Sequence, residues 1–312
     1  MPDLPLSIAI FNHGQWDSLR DGRVKPEGIE LQHVPAAPAT YRRMVRDLEF
    51  DVAEIALTTF MAAKWFKIPI TGIPIFSNRD VSMSPVVYNA RSGIEGPKDL
   101  EGKRVGVRSY TVTNTTQCRA LLNYEFGVDT DSIQYIVSED AHVAQYKEPP
   151  NVEYAPSGKT LEEMLKVGDI DAGLQLSIEP EGDIRLLLTE DEADEVGLRY
   201  FRRTGVYPIG HVMTVKDDVL KEHPWVGPAM FQAFTASKNR YMETLKDGPD
   251  LARRDRQALR NKELIGGDPF PFGMALNRKA MEAMVQIDVD QHIIPERLDV
   301  DSLFAANTLD LE

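Results

Sequence analysis

Short apolar runs recur along this chain, and most are followed within a few positions by a segment of helical spacing. LSIAIFN (6–12) is β-prone and ends at His13-Gly14, where a strand gives way to a loop. Across 38–49, Tyr41, Met44, Val45 and Leu48 fall on one helical face. FDVAEIA (50–56) then predicts a strand, with Thr58 and Thr59 placed to cap a helix starting near Phe60. KIPITGIPIF (67–76) and SPVVYNA (84–90) are further β-rich runs. KRVGVRS leads into TTQCRALLNYEFG, with Gly127 as the helix stop. Thr160 and Glu163 have capping-box spacing, Leu161, Met164 and Leu165 share a face, and DIDAGL (169–174) returns to a strand. TGVYPIGHVMTV (204–215) precedes another helical segment, and the C-terminal third reads as mostly helical apart from IGGDPFPFG (265–273). Strands alternating with helices predict an α/β fold with mainly parallel sheets.

A chain of 312 residues is long for one core and suggests about two domains. ARSGIEGPKDLEGK (90–103) has no apolar period and is expected to cross between lobes, with a return near 201–208. The expected lobes are 1–89 joined by 205–312, and 90–204. Small-molecule sites favour an interlobe cleft in such an arrangement. The net charge of −14, from 35 basic and 49 acidic residues, argues against nucleic acid or an anionic membrane as partner. A small anion remains compatible, because one basic pocket can sit in an acidic shell. MPDLPLSIAIFNHG has no basic leader, and no run approaches the ~18 apolar residues of a membrane span, so a soluble cytoplasmic chain is expected. A single cysteine, Cys118, rules out an internal disulfide and a cysteine zinc cluster, and reads as a core thiol.

The densest polar feature is Arg108, Ser109, Tyr110, Thr111, Thr113, Asn114, Thr115 and Thr116, set between an apolar run and a helix. A helix N-terminus offers unpaired N–H groups, and Arg108 can clamp a carboxylate, so this turn is a candidate anion site. Its plain alternative is ordinary helix capping. Glu54, Thr58 and Thr59 form a second strand-to-helix turn, and Asn78 with Arg79 a third polar locus, where Arg79 is either a second carboxylate clamp or a surface ion pair. His13 and His211 each sit at the end of a β-prone run within one expected lobe, where α/β folds place ligand contacts. No HExxH motif and no close His/Asp cluster is present, so spacing supports no metal site; no nucleophile elbow is present either.

Read together, FDVAEIALTTF, IPIFSNR, GKRVGVRSYTVT followed by EFGVD, YPIGHVMTVKDDVLKEHPW and GGDPFPFG resemble the 4,5-dihydroxyphthalate decarboxylase family, which has a two-lobe type-2 periplasmic-binding-protein-like fold. The resemblance implies a carboxy-lyase acting on a hydroxylated aromatic carboxylate, with no organic cofactor and a divalent ion beside a catechol left open. It implies no nucleic-acid or membrane partner and leaves self-association open. His211 is then the first choice for the proton donor and His13 for a neighbour of the phenolic oxygens. Glu54, Thr58, Thr59, Asn78, Arg79, Arg108, Ser109, Tyr110, Thr111, Thr113 and Asp268 are expected to line the substrate. Ser82 and Met83 stand where the family pattern has a basic residue and a histidine, and Gln117 and Cys118 where it has an aromatic residue. A non-catalytic carboxylate binder and an enzyme with a different ring substrate are the alternatives on the same fold.

Overall fold

The computed structural model describes residues 2–246, 248 and 251–312. The chain separates into two compact units. One takes in the chain up to Asp80, Tyr207–Val285 and Arg297–Glu312; the other takes in Val81–Val206 and Gln286–Glu296. The first crossing thus comes at Asp80–Val81, earlier than the glycine-rich 90–103 stretch suggests. That stretch instead forms two short 3-10 turns, Ala90–Ser92 and Pro97–Leu100, inside the second unit. The return to the second unit at 286–296 has no composition signal, because it continues the helix Met274–Asp290 without a break.

The first unit holds a five-stranded sheet of β1 (Leu4–Ile10), β2 (Ile29–Pro35), β3 (Val52–Ala56), β4 (Ile70–Ser77) and a later strand, His211–Lys216, in the order β2-β1-β3-late strand-β4. β1 runs parallel to β2 and β3, while the late strand is antiparallel to both β3 and β4. Strand β3 is buried at every position, as a central strand covered on both faces should be. Ile8, Ile10, Val52, Ile73, Ile75, Met213 and Val215 pack with Trp16, Met230, Phe231 and Phe234 into the main core of this unit. Each such side chain contributes roughly 1.5–3 kcal/mol on full burial. The helix Ala39–Asp47 buries Thr40, Tyr41, Met44 and Val45 and packs against β3.

The second unit holds a six-stranded sheet of β5 (Val86–Asn89), β6 (Arg104–Val107), β7 (Gln134–Val137), β8 (Val152–Tyr154), β9 (Ala172–Leu174) and β10 (Ile184–Leu186), in the order β10-β5-β9-β6-β7-β8. With that count the late strand of the first unit is β11. Only β5 is reversed, being antiparallel to β9 and β10. Ile136, Leu161, Met164, Leu165, Ile170 and Ile184 form a core beneath this sheet. The capping box at Thr160 and Glu163 is present, and Gly127 and Gly168 end their helices in the left-handed conformation. The helix Glu190–Thr204, opened by a second capping box at Thr189 and Glu192, was not evident from apolar spacing. No helix among the described residues is long and apolar enough to cross a membrane.

Gly197, within the helix Glu190–Thr204, lies against the backbone at Val81, where an added Cβ would sit 1.7 Å from the carbonyl oxygen. Backbone cannot yield as a side chain can. Gly197→Ala is therefore expected to lower the thermal midpoint by several degrees, corresponding to about 1–3 kcal/mol of overpacking. An unchanged melting curve would show that this helix is not held against that backbone.

Candidate active site

The C-terminal edge of the first unit's parallel strands collects the polar side chains that the sequence scatters. β11 enters from the opposite direction, so its first residue, His211, pairs with Ala56 at the end of β3 and with Ser77 at the end of β4. His13 reaches the same edge from the loop after β1. Glu54 lies two residue pairs lower, opposite Met213, on a face otherwise lined by Val52, Met213 and Val215.

Glu54 is fully buried, and its carboxylate is surrounded by donors. Oε2 accepts the Phe11 backbone N–H at 3.0 Å and the Trp16 indole N–H at 3.2 Å. Oε1 meets His13 Nε2 at 2.7 Å, His211 Nδ1 at 2.8 Å and the Ser77 hydroxyl at 2.5 Å. Burial opposes the charge, but the two imidazoles and the hydrogen bonds outweigh it and hold the carboxyl well below its usual range. An ionised Glu54 fixes which nitrogens carry protons: His13 Nε2 and His211 Nδ1 donate, leaving His13 Nδ1 and His211 Nε2 to face other partners. His211 Nε2 has the Tyr41 hydroxyl at 2.9 Å and the Asn78 amide at 3.3 Å. Side-chain exposure is 23% for His13 and 12% for His211, so both rings remain reachable from solvent.

The surroundings are aromatic. The Phe11 ring lies 5.3 Å from Tyr41 and 5.5 Å from His211, and Tyr41 lies 5.6 Å from His211. Arg20 donates to the carbonyls of Ile10, Phe11 and His13 and so pins the loop that carries His13. Asn78 adopts φ +50°, a left-handed conformation that asparagine tolerates. Its backbone abuts Gly210, where a Cβ would fall 2.2 Å from the Asn78 carbonyl oxygen. The first-turn N–H of Leu57 bonds the Gly210 carbonyl at 2.9 Å. That bond, and not a threonine hydroxyl, starts the helix Leu57–Trp65; Thr58 and Thr59 lie buried inside its first turn, three residues earlier than the expected start at Phe60.

Several expected ligand contacts have other occupations. Arg79 is buried, and its guanidinium donates to the carbonyls of Tyr207, Pro208 and Pro271 and to Asn277 while stacking on Tyr207. Burial lowers its pKa to about 10, which leaves it charged at neutral pH. It ties the crossing segment to the helix Met274–Asp290 and is neither the exposed ion pair nor the carboxylate clamp its sequence context suggests. Glu54 likewise orients the two histidines, since five donors already occupy its oxygens. Asp268 accepts from Lys238 and from the Phe270 N–H, closing the turn in GGDPFPFG.

In the second unit, the hydroxyl-rich turn is largely turned inward. Thr115 and Thr116 both donate to the Val112 carbonyl, at 2.8 and 3.0 Å, so their hydroxyls serve the turn itself. Tyr110 is buried against Arg119, whose guanidinium lies 4.0 Å from its ring centre. Ser109, Thr111 and Thr113 are buried as well. Arg108 stays part-exposed, with Glu139 at 3.9 Å. Cys118 is a core thiol whose pKa burial raises to about 12. Ser82 bonds Asp194, and Met83 is part of the core.

Sequence reading missed Tyr41, Phe11, Trp16 and Ser77. Tyr41 was visible only as an apolar-face residue of a helix. Trp16 and Ser77 carried no signal beyond adjacency to His13 and Asn78.

The chain superimposes on the alkanesulfonate-binding protein SsuA from Xanthomonas axonopodis pv. citri, bound to MOPS, with a TM-score of 0.57 at 14% identity, covering 97% of this chain and 99% of that one. The protein therefore has the periplasmic-binding-protein-like α/β fold. A family model described as NMT1/THI5 like matches residues 24–155. Along its whole length the chain is a homologue of a 4,5-dihydroxyphthalate decarboxylase from Comamonas testosteroni, 26% identical over 332 aligned positions that cover 99% of each protein. A protein of the same name from Pseudomonas putida is 28% identical over 181 positions, 55% of this chain and 70% of that one.

Two outcomes follow from the geometry. Arg79→Lys cannot reproduce the planar fork of donors and is expected to cost more than about 2 kcal/mol of stability; a normal melting midpoint with a raised KM would instead mark Arg79 as a ligand contact. The second concerns Glu54, whose folded-state pKa lies below its ordinary value of 4.5. The stability it contributes is present above that value and is lost as pH falls toward the lower folded-state value. Wild type should thus be more stable than Glu54→Gln at neutral pH, with the gap narrowing in acid denaturation series below about pH 4. A gap constant down to pH 2 would contradict the assignment.

Proposed function

We propose that this protein is a carboxy-lyase that removes CO2 from a hydroxylated aromatic carboxylate, with 4,5-dihydroxyphthalate as the substrate and 3,4-dihydroxybenzoate as the product. The single observation that carries the reading is the pair of imidazoles held by one buried carboxylate, at 2.7 and 2.8 Å, in an aromatic surround. Full-length homology to proteins named for that reaction supports it.

Loss of CO2 from such a ring needs a proton at the carbon that bears the carboxylate and electrons pushed toward it. A para hydroxyl, deprotonated as the reaction begins, supplies the push. His211 in its imidazolium form delivers its Nε2 proton to the ring carbon and becomes neutral. The C–C bond then breaks, its electron pair restores the aromatic ring, and CO2 leaves. His13 takes the phenolic proton through Nδ1 and returns it to the phenolate that C–C cleavage regenerates, while His211 regains its proton from solvent. Glu54 never gives up its charge; it orients both rings and stabilises whichever is protonated. Tyr41 and Asn78 hold His211 Nε2 in line, and Phe11 provides an apolar contact for the substrate ring. No organic cofactor enters this scheme.

A second reading is a non-catalytic carboxylate or sulfonate binder, favoured by the likeness to SsuA at the level of the fold. A purified-protein assay separates the two. Incubation with 4,5-dihydroxyphthalate should release CO2 and the monoacid, and His13→Ala and His211→Ala should each lower kcat by roughly 10²–10⁴. Ligand-induced stabilisation without turnover would support the binder, and full turnover in both histidine variants would end the acid–base assignment.

A further inference from the structure

The same three side chains have a property that proton transfer does not need. His13 Nε2, Glu54 Oε1 and His211 Nδ1 each offer a ligand atom, and all lie within 4.8 Å of one another. Oε1 stands 2.7 and 2.8 Å from the two nitrogens. Adjacent ligands held about 2.1 Å from a first-row divalent ion, at right angles, stand about 3 Å apart. A shift of a few tenths of an ångström would admit the ion.

Three further features fit coordination. Oε1 faces three donors, counting Ser77, although a carboxylate oxygen has two lone pairs. Two of those contacts are the ones an ion would replace. The other oxygen is already fixed by the Phe11 N–H and the Trp16 indole, the outer bonding that steadies a metal-binding carboxylate. The Tyr41 hydroxyl oxygen, 2.9 Å from His211 Nε2, can accept a proton placed on that nitrogen, the tautomer that frees Nδ1 for an ion. Part-exposed imidazoles give the ion a route in.

We propose that His13, Glu54 and His211 form a binding site for one divalent transition-metal ion, of the two-histidine, one-carboxylate type suited to Zn2+, Co2+ or Fe2+. Binding displaces the protons that the two nitrogens share with Glu54. It also fixes each imidazole in a single protonation form, so occupancy and the proton shuttling proposed above exclude each other. That last clause rests on the proposed function; the binding itself does not.

Titration of the metal-free protein with Co2+, followed by visible absorption, tests the site without substrate. One equivalent should bring up d–d bands, and added Zn2+ should abolish them. His13→Ala, His211→Ala and Glu54→Gln should each weaken the bands at least tenfold, with circular dichroism confirming the fold. Bands absent from wild type, or unchanged in both histidine variants, overturn the proposal. Should the variants fail to fold, proton NMR of wild type decides: Co2+ must shift the ring protons of two of the six histidines, and shifting none overturns it. Zn2+ should then suppress decarboxylation in proportion to occupancy. If wild type shows no turnover at all, the proposed function fails while the cobalt result stands by itself.

Discussion

A single buried carboxylate organises the first unit. Glu54 sits on the central strand of the sheet and receives bonds from the loop after β1, from the end of β4 and from the start of β11. An ionised group taken out of water is costly unless its oxygens are fully engaged, and here five donors from three neighbouring segments meet that requirement. The same bonds that make the charge tolerable set the tautomers of two histidines. Packing, electrostatics and chemistry are thus one arrangement at this edge. Leucine at position 54 would suit the apolar face better, yet it would leave His13, Trp16 and Ser77 without their shared acceptor.

The arrangement also explains why the outer residues look as they do. Arg20 is spent on three carbonyls because the loop carrying His13 has no ladder partner of its own. Asn78 can turn back toward His211 because it takes a left-handed conformation and because Gly210 leaves room for its backbone. Arg79, next in sequence, faces the other way and binds the crossing segment to the long C-terminal helix. Adjacent polar residues therefore serve opposite ends of the same problem, one the site and one the frame.

Much of the fold was legible in the sequence because strand and helix periods differ so plainly. β1, β3 and the helices that follow β3 and β6 could be placed from apolar spacing and from Gly127. β2, β7, β8 and β10 were missed; β8 and β10, with mostly exposed residues, have no apolar alternation to read. The 90–103 stretch misled because glycine and charge mark any surface turn, whether or not the chain changes unit there. At the site, His13, Glu54 and His211 were found as strand-end residues, but their sharing of one oxygen depends on the direction of β11, which composition does not encode. Arg79 was misread for a related reason. An arginine looks like a ligand contact until its carbonyl partners, more than a hundred positions away, are known. In the threonine-rich turn, local bonds to Val112 account for the hydroxyls of Thr115 and Thr116.

The placement of β11 between β3 and β4 bears on the order of folding. Those two strands are neighbours in sequence, yet in the sheet each pairs with a strand that arrives only after Val81–Val206, the larger part of the second unit, has been made; Asn78 and His211 are 133 positions apart. Closing so long a loop adds entropy slowly with length, but it leaves the facing edges of β3 and β4 unpaired until the late strand arrives. During synthesis the Val81–Val206 part of the second unit emerges before β11, while the first unit waits with an open slot in its sheet. The two histidines then come under one carboxylate only when β11 docks, so the arrangement of this edge comes into being with the completed sheet.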